Sequence, residues 1–336
     1  VTDNDPLAGR LDHTYTEDHG DGHRARDTHS PTAVPVSSPN LFAEVTWEKT
    51  DAPLVGDMAR ILRAGQWDIN KMAHYLPVYE SAFGDRHRRV RVLEIGVNVG
   101  GSLELWRKWF TNRGSVIVGI DYNNRCAQLE NPAKNIHIRI GKQQDTEFLQ
   151  RVVEEFGPFD VILDDGSHIP SFTLKSFQYL FVNGLNDGGS YVVEDLHACY
   201  SPDSCEPFPE GHPELADAND GSPTFTEFVK NLINVMHAHW VQMPTGLDID
   251  KVEPDNPARV DSFQVPWATK MIKSIELHDA IVVIRRGEKE LPRMIRRWSE
   301  EKMSLIGKPD DAARFLYEKF PHLGEADKTR RDYWSR

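Results

Sequence analysis

Runs of valine, isoleucine and leucine recur through the middle of this chain, and helical patterns lie in three of the four gaps between them. They read VRVLEIG at 90–96, SVIVGID at 115–121, IHIRIG at 136–141, FDVILDDG at 159–166 and SYVVEDL at 190–196. Runs this short and this apolar suit strands covered on both faces. Between them, Leu103–Phe110, Thr146–Phe156 and Phe172–Leu180 carry apolar residues at helical spacing; Phe148, Leu149, Val152, Val153 and Phe156 form one face of the second. Strand and helix in alternation require a parallel sheet with helices on both sides, because a parallel pair needs a long crossover. Two late runs, KSIELHD at 273–279 and AIVVIRRG at 280–287, meet at His278 and Asp279 with almost no connection. That spacing predicts an antiparallel hairpin at the sheet edge. The expected architecture is α/β: a mostly parallel, seven-stranded, doubly wound sheet with an antiparallel edge hairpin.

The flanks differ in composition. Residues 1–40 are rich in Asp, His, Thr, Ser and Pro and hold His13, His19, His23 and His29; such a segment buries too little to offset its ordering entropy and reads as a solvated polar tail. Residues 41–89 read as an N-terminal helical segment contributing to the site, with short helical pieces at 41–47 and 58–62 and a longer one, YLPVYESAF, at 75–83. The catalytic domain is expected over 90–290, and a charged helical extension over 291–336. Residues 201–223 interrupt the rhythm with five prolines and six acids, a composition suited to a lid or binding loop. Phe225–Trp240 reads as a further helix.

Charge narrows the partners. The chain has 52 acidic against 39 basic residues, a formal net charge of -13, which argues against a nucleic-acid backbone as partner. No apolar run is long enough to span a membrane, the first residues show no secretory pattern, and the three cysteines form no C-x-x-C pair. These features lead to the expectation of a cytoplasmic protein.

Chemistry concentrates at the ends of the expected strands, where ligands sit in doubly wound sheets. The first strand runs into Glu94-x-Gly96-x-x-x-Gly100-Gly101-Ser102 and then a helix. The glycines permit a tight turn and close approach of a ligand. Asp121, 25 residues after Gly96, can accept both hydroxyls of an adenosine ribose. A dinucleotide fingerprint would read G-x-G-x-x-G; here an acid stands at the first position, which suits a ligand bearing an ammonium rather than a diphosphate and favours S-adenosylmethionine. Two further turns read Asp164-Asp165-Gly166-Ser167-His168 and Glu194-Asp195-Leu196-His197. Carboxylates crowded at neighbouring strand ends repel unless a cation joins them. Asp165, Glu194 and Asp195 offer an all-oxygen set for magnesium, and His168 is placed to act as general base. Alternation along a strand puts Asp164 and Asp165 on opposite faces, so which one meets the cation stays open. His197 reads as supporting and Cys199 as without a catalytic helper.

Taken together, INKMAHYLPVYESAFG, LEIGVNVGGSLELW, GIDY, IRIGKQQD, LDDGSH, GGSYVVEDLH and SIELHDAIVVIRRG resemble the metal-dependent sugar O-methyltransferases of the macrocin and mycinamicin type, whose relatives act on rhamnosyl or mannosyl saccharides. The LDDGSH and VEDLH pair is the specific part. The resemblance implies a Rossmann-like class I methyltransferase fold, S-adenosylmethionine as methyl donor, Mg2+ on Asp165, Glu194 and Asp195, and His168 as base. It implies that Glu94, Gly96, Gly100, Ser102 and Asp121 line the cofactor site, with Gln143 near the adenine and Asp164 near the methionine end. Two positions depart from the family pattern: Lys142 stands where an Asp is frequent, and Asp68-Ile69-Asn70-Lys71 replaces a Gly-Thr-Asp-Lys run. The implied acceptor is a sugar or glycoside hydroxyl, with the 201–223 loop and the segment around Lys71, His74 and Tyr75 as pocket walls, and the implied assembly is a homo-oligomer. Other readings of the same residues are methylation of a catechol-like hydroxyl, a nicotinamide-dependent oxidoreductase, or a binding protein without catalysis.

Overall fold

The structure, a computed structural model, describes residues 52–200, 222–242 and 264–290. The expectations for the 1–40 tail, the 41–47 helix, nearly all of the 201–223 loop and the 291–336 extension lie outside the described residues.

Seven strands form one sheet: β1 (Arg91–Ile95), β2 (Val116–Asp121), β3 (Ile136–Ile140), β4 (Phe159–Asp164), β5 (Leu185–Val193), β6 (Ile272–His278) and β7 (Ile281–Arg286), in the order β3-β2-β1-β4-β5-β7-β6. The first five are parallel, and β7 runs antiparallel to both β5 and β6. The hairpin turn falls on Asp279 and Ala280, one residue later than the spacing predicts, with Ala280 at φ 57. β5 starts at Leu185 rather than near 190. Its first half, LNDGG, lacks a strand composition; it is held by pairing of Leu185 with Phe159, and a register shift separates it from the regular ladder.

The helices are α1 (Asp57–Ala64), α2 (Tyr75–Phe83), α3 (Gly101–Trp109), α4 (Thr146–Phe156), α5 (Pro170–Asn183), α6 (Phe225–Met236), and the short α7 (His239–Gln242) and α8 (Trp267–Met271). The expected single helix over 225–240 is broken at His237, where the α6 cap falls. α4 matches its expected bounds. Asp145 caps it by accepting from Glu147 N and Phe148 N, while Phe148, Leu149 and Val152 are buried.

Strand alternation divides the core between the two sheet faces. Val92, Val161, Leu163 and Val192 join α1, α2 and α3 on one face; Leu93, Ile95, Ile162, Tyr191 and Val193 join α4, α5 and α6 on the other. An aromatic ladder fastens α2 to the first face. Tyr79 and Phe83 pack edge-on against Trp106 of α3 at 5.1 and 5.0 Å, and Phe83 stacks on Phe110 at 5.6 Å. Each such ring pair contributes about 0.5–1.5 kcal/mol beyond its buried area. Tyr75, Tyr79 and Phe83 fall at i, i+4 and i+8, so a single helix face carries all three.

Candidate active site

The same alternation decides which acids meet. Glu94 follows Val92, Asp165 follows Leu163 and Glu194 follows Val192, so all three point to the face covered by α2 and α3. Glu94 and Leu163 are register partners, as are Leu163 and Val192. Asp164 points to the opposite face, where it is 2% exposed. There it accepts from Ser176 Oγ at 2.8 Å, Tyr191 OH at 3.3 Å, Gln143 Nε2 at 3.3 Å and Gly166 N at 3.3 Å. Burial pushes its pKa up to about 6. Of the two neighbouring aspartates, Asp165 is the one that joins the cluster.

At the centre of that cluster lies a group the sequence placed elsewhere. Lys71, expected as an acceptor-pocket wall, has a side chain only 4% exposed, and its ammonium lies 2.5 Å from Asp165 Oδ2, 2.6 Å from Glu194 Oε1 and 3.4 Å from Glu94 Oε1. Burial opposes the lysine charge, but Glu194, Glu94 and Asp165 outweigh it and hold the ammonium well above the usual lysine range. One ammonium cannot neutralise three carboxylates, two of them buried. Burial accordingly raises the pKa of Glu94 to about 7, and raises Asp165 and Glu194 as well, against the pull of Lys71.

Glu94 is 0% exposed. Its Oε2 accepts from Ser102 Oγ at 2.8 Å and Trp106 Nε1 at 3.0 Å. The ammonium that Glu94 meets is therefore the chain's own, and Ser102 points inward to Glu94 beneath the loop. Glu194 is held at both oxygens, by Lys71 and by the Tyr79 hydroxyl at 2.6 Å. Sequence reasoning missed Tyr79, which reads as one more apolar position on α2; the available signal was that a buried tyrosine needs a partner for its hydroxyl.

A second group lies at the rim. His168 Nε2 stands 3.7 Å from Asp165 Oδ1 and 3.6 Å from Asp195 Oδ2, with side chains about a quarter to a third exposed. Both His168 and Asp195 adopt the left-handed backbone region, at φ 57 and 58, a conformation that costs a non-glycine residue of order 1–3 kcal/mol. Tyr75 secures Asp195: its hydroxyl donates to Oδ1 at 2.9 Å and accepts from Asp195 N at 3.3 Å. Ligand atoms of Asp165, His168 and Asp195 lie within 4.8 Å of one another, as do those of Glu94, Asp165 and Glu194. Asp165 belongs to both groups, Glu194 to the inner one and Asp195 to the rim. His74 lies apart, with Nε2 3.0 Å from the Asp279 carbonyl oxygen.

The glycine turn abuts this cluster. Gly96 has φ 94, and a Cβ there would lie 2.0 Å from the Asp165 carbonyl oxygen; at Gly101 it would lie 1.7 Å from that of Asp68. Only glycine lets the β1 turn touch the β4 turn and lets the segment leading to Lys71 cross the start of α3. Asp121 steadies the turn: Oδ2 accepts from Val97 N at 2.9 Å and Asn98 N at 3.2 Å. Gln143, 8% exposed, bridges Asp164 and the Ser167 N–H, the latter at 2.8 Å. Gly100 caps α3 in the left-handed region.

The strand order, the antiparallel last strand and the glycine turn after β1 define the class I methyltransferase fold, which is Rossmann-like. No protein-family model matches the chain. It is 36% identical over 191 residues to 8-demethyl-8-(2-methoxy-alpha-L-rhamnosyl)-tetracenomycin-C 3'-O-methyltransferase of Streptomyces olivaceus, a match covering 54% of this chain and 45% of that one. It is 31% identical over 243 residues to the 8-demethyl-8-alpha-L-rhamnosyl tetracenomycin-C 2'-O-methyltransferase of the same organism, covering 69% and 58%. A solved structure of the MycE methyltransferase of mycinamycin biosynthesis, in complex with Mg, SAH and mycinamycin VI, superposes with a TM-score of 0.50 at 26% identity, over 70% of this chain and 54% of that one. Over the shared region the chain is similar to the macrocin- and mycinamicin-type sugar O-methyltransferases. It spans between a third and three-fifths of the length of these curated relatives. Among the described residues no helix is long and apolar enough to cross a membrane.

Proposed function

We propose that this chain transfers the methyl group of S-adenosylmethionine to a hydroxyl of a sugar on a natural-product glycoside. The observation that carries this reading is the contact of two turns: the glycine turn, suited to the donor, touches the Asp165 turn, and Asp165, Asp195 and His168 converge beside it. The relatives named for methylation of rhamnosyl hydroxyls supply the acceptor class.

The donor set fits a hard divalent cation, since Asp165, Glu194 and Asp195 provide oxygen alone. Asp165 Oδ1 and Asp195 Oδ2 face the rim and His168, while Glu194 stands behind them, held by Lys71 and Tyr79. When bound, Mg2+ would supply positive charge that orients the acceptor and eases loss of its proton. His168 takes that proton at Nε2. Asp165 and Asp195 flank the imidazole and face its Nε2. Asp121 and the Gly96–Gly100 turn hold the donor. Gln143 and Asp164 brace the turn from the opposite face, and Glu94 with Ser102 braces it from below. Holding the sulfonium methyl and the acceptor oxygen in line supplies most of the acceleration.

The test is incubation with S-adenosylmethionine, Mg2+ and a panel of rhamnosyl, mannosyl and catechol acceptors, followed by mass spectrometry and NMR of the product. A single O-methyl on a sugar ring is expected. Methylation of the catechols alone would overturn the acceptor class, and no transfer to any acceptor despite donor binding would overturn the reading.

A further inference from the structure

The inner cluster contains a cation already, and it is covalently part of the chain. We propose that Lys71 is a resident counter-ion that competes with the divalent cation for Asp165 and Glu194, setting how weakly the metal-free site holds that cation. The inference rests on the reading above that Asp165, Glu194 and Asp195 receive a divalent ion.

Three observations support it. The Lys71 ammonium lies within 2.6 Å of one oxygen on each of Asp165 and Glu194, the two proposed ligands on the inner side. The remaining Glu194 oxygen accepts from Tyr79, so this carboxylate has no oxygen without a partner from the chain itself. Glu94 Oε1 is fully buried without a hydrogen bond, and Lys71 at 3.4 Å is the cation that faces it. The acids that would otherwise repel one another are thus gathered before any metal arrives. Lys71 reaches them from the segment that crosses Gly101, where the Asp68 carbonyl leaves no room for a side chain. The backbone on both sides of the contact is fixed.

Physical consequences follow from charge alone. Removing a positive charge next to two ligands raises the affinity of a divalent ion for them. It also leaves buried carboxylates without a partner, which destabilises the protein until another cation enters. An ordinary structural lysine would lower stability on removal without tightening metal binding.

The experiment uses the full chain as wild type, Lys71→Met and Lys71→Arg. Calorimetry measures Mg2+ and Mn2+ affinity, and thermal unfolding is followed with chelator and with Mg2+. Lys71→Met is expected to bind the ions roughly ten- to a hundredfold more tightly, and its unfolding midpoint is expected to fall in chelator and recover with Mg2+. Lys71→Arg keeps the charge and is expected to stay near wild type on both readouts. Should Lys71→Met fold only in Mg2+, loss of its circular dichroism on chelation, with wild type and Lys71→Arg unmoved, has the same meaning. Unchanged or weaker ion binding by Lys71→Met, or a failure to fold that Mg2+ does not rescue, would overturn the proposal. Wild type that binds neither ion would instead overturn the metal reading on which it rests.

Discussion

The inner pocket and the rim are built from the same strand ends and share Asp165, yet they treat charge in opposite ways. Within the pocket, Glu94 and Glu194 are buried and held by Lys71, Tyr79, Ser102 and Trp106, all from the chain itself. At the rim, His168 Nε2 stands 3.7 Å from Asp165 Oδ1 and 3.6 Å from Asp195 Oδ2, beyond hydrogen-bonding reach, with partial exposure. The pocket pairs its acids with groups from the chain, Glu94 Oε1 alone lacking a hydrogen bond and facing the Lys71 ammonium at 3.4 Å. The rim leaves its groups apart, as an exchangeable ligand requires. The lesson is that one acidic cluster contains a half closed by the chain's own groups and a half left partly open.

Substitutions that break one half and spare the other sharpen this contrast. The largest effect on folding is expected for Lys71→Met in chelator, which leaves the buried Glu94 and Glu194 carboxylates without their cation; loss of a partner from a buried pair costs about 3–5 kcal/mol, read as a lower denaturant midpoint. His168→Ala at the rim is expected to lower methyl transfer by about 10²–10⁴-fold, the range for a lost general base, with the thermal midpoint almost unmoved. Tyr79→Phe removes one hydrogen bond to a buried carboxylate and is expected to cost about 1.5–3 kcal/mol in equilibrium unfolding, while donor binding persists.

The smallest effect is a control far from both halves. Arg285 holds Glu276 at 2.7 Å and lowers its pKa. A carboxylate depressed on folding stabilises the protein above its unfolded pKa, near 4.5, and that contribution is lost as pH falls through the lower folded value. The pair is partly exposed, so Glu276→Gln is expected to remove about 0.2–1 kcal/mol at neutral pH and almost nothing in acid, measured by urea unfolding across that range.

Much of this arrangement was legible in the sequence. The apolar runs located the strands because burial on both sides leaves few polar positions, and the apolar face from Phe148 to Phe156 marked α4. Strand ends carrying LDDGSH and VEDLH pointed to the acids and to His168. Four features were not legible. The first half of β5 has a turn composition, and only pairing with β4 extends it. Asp164 and Asp165 separate by alternation, but this is decided by the ladder continuing one residue past β4, where Asp165 N donates to the Ile95 carbonyl oxygen at 3.0 Å. Lys71 lies 94 residues from Asp165 and 123 from Glu194; no local pattern reports a contact across such distances, and the residue resembles any polar position before a helix. The α2 tyrosines were hidden for the opposite reason, since their rings fit the core pattern and only the hydroxyls reveal their role.

The central claim is that the rim transfers a methyl group to a sugar with the help of a divalent cation. Its most direct measurement is transfer of labelled methyl from S-adenosylmethionine to a rhamnosyl glycoside, first in chelator and then after Mg2+ is restored. The account predicts label on the sugar only with Mg2+ present, and none in either condition with Asp195→Ala. Full transfer in chelator, or by Asp195→Ala, would contradict it.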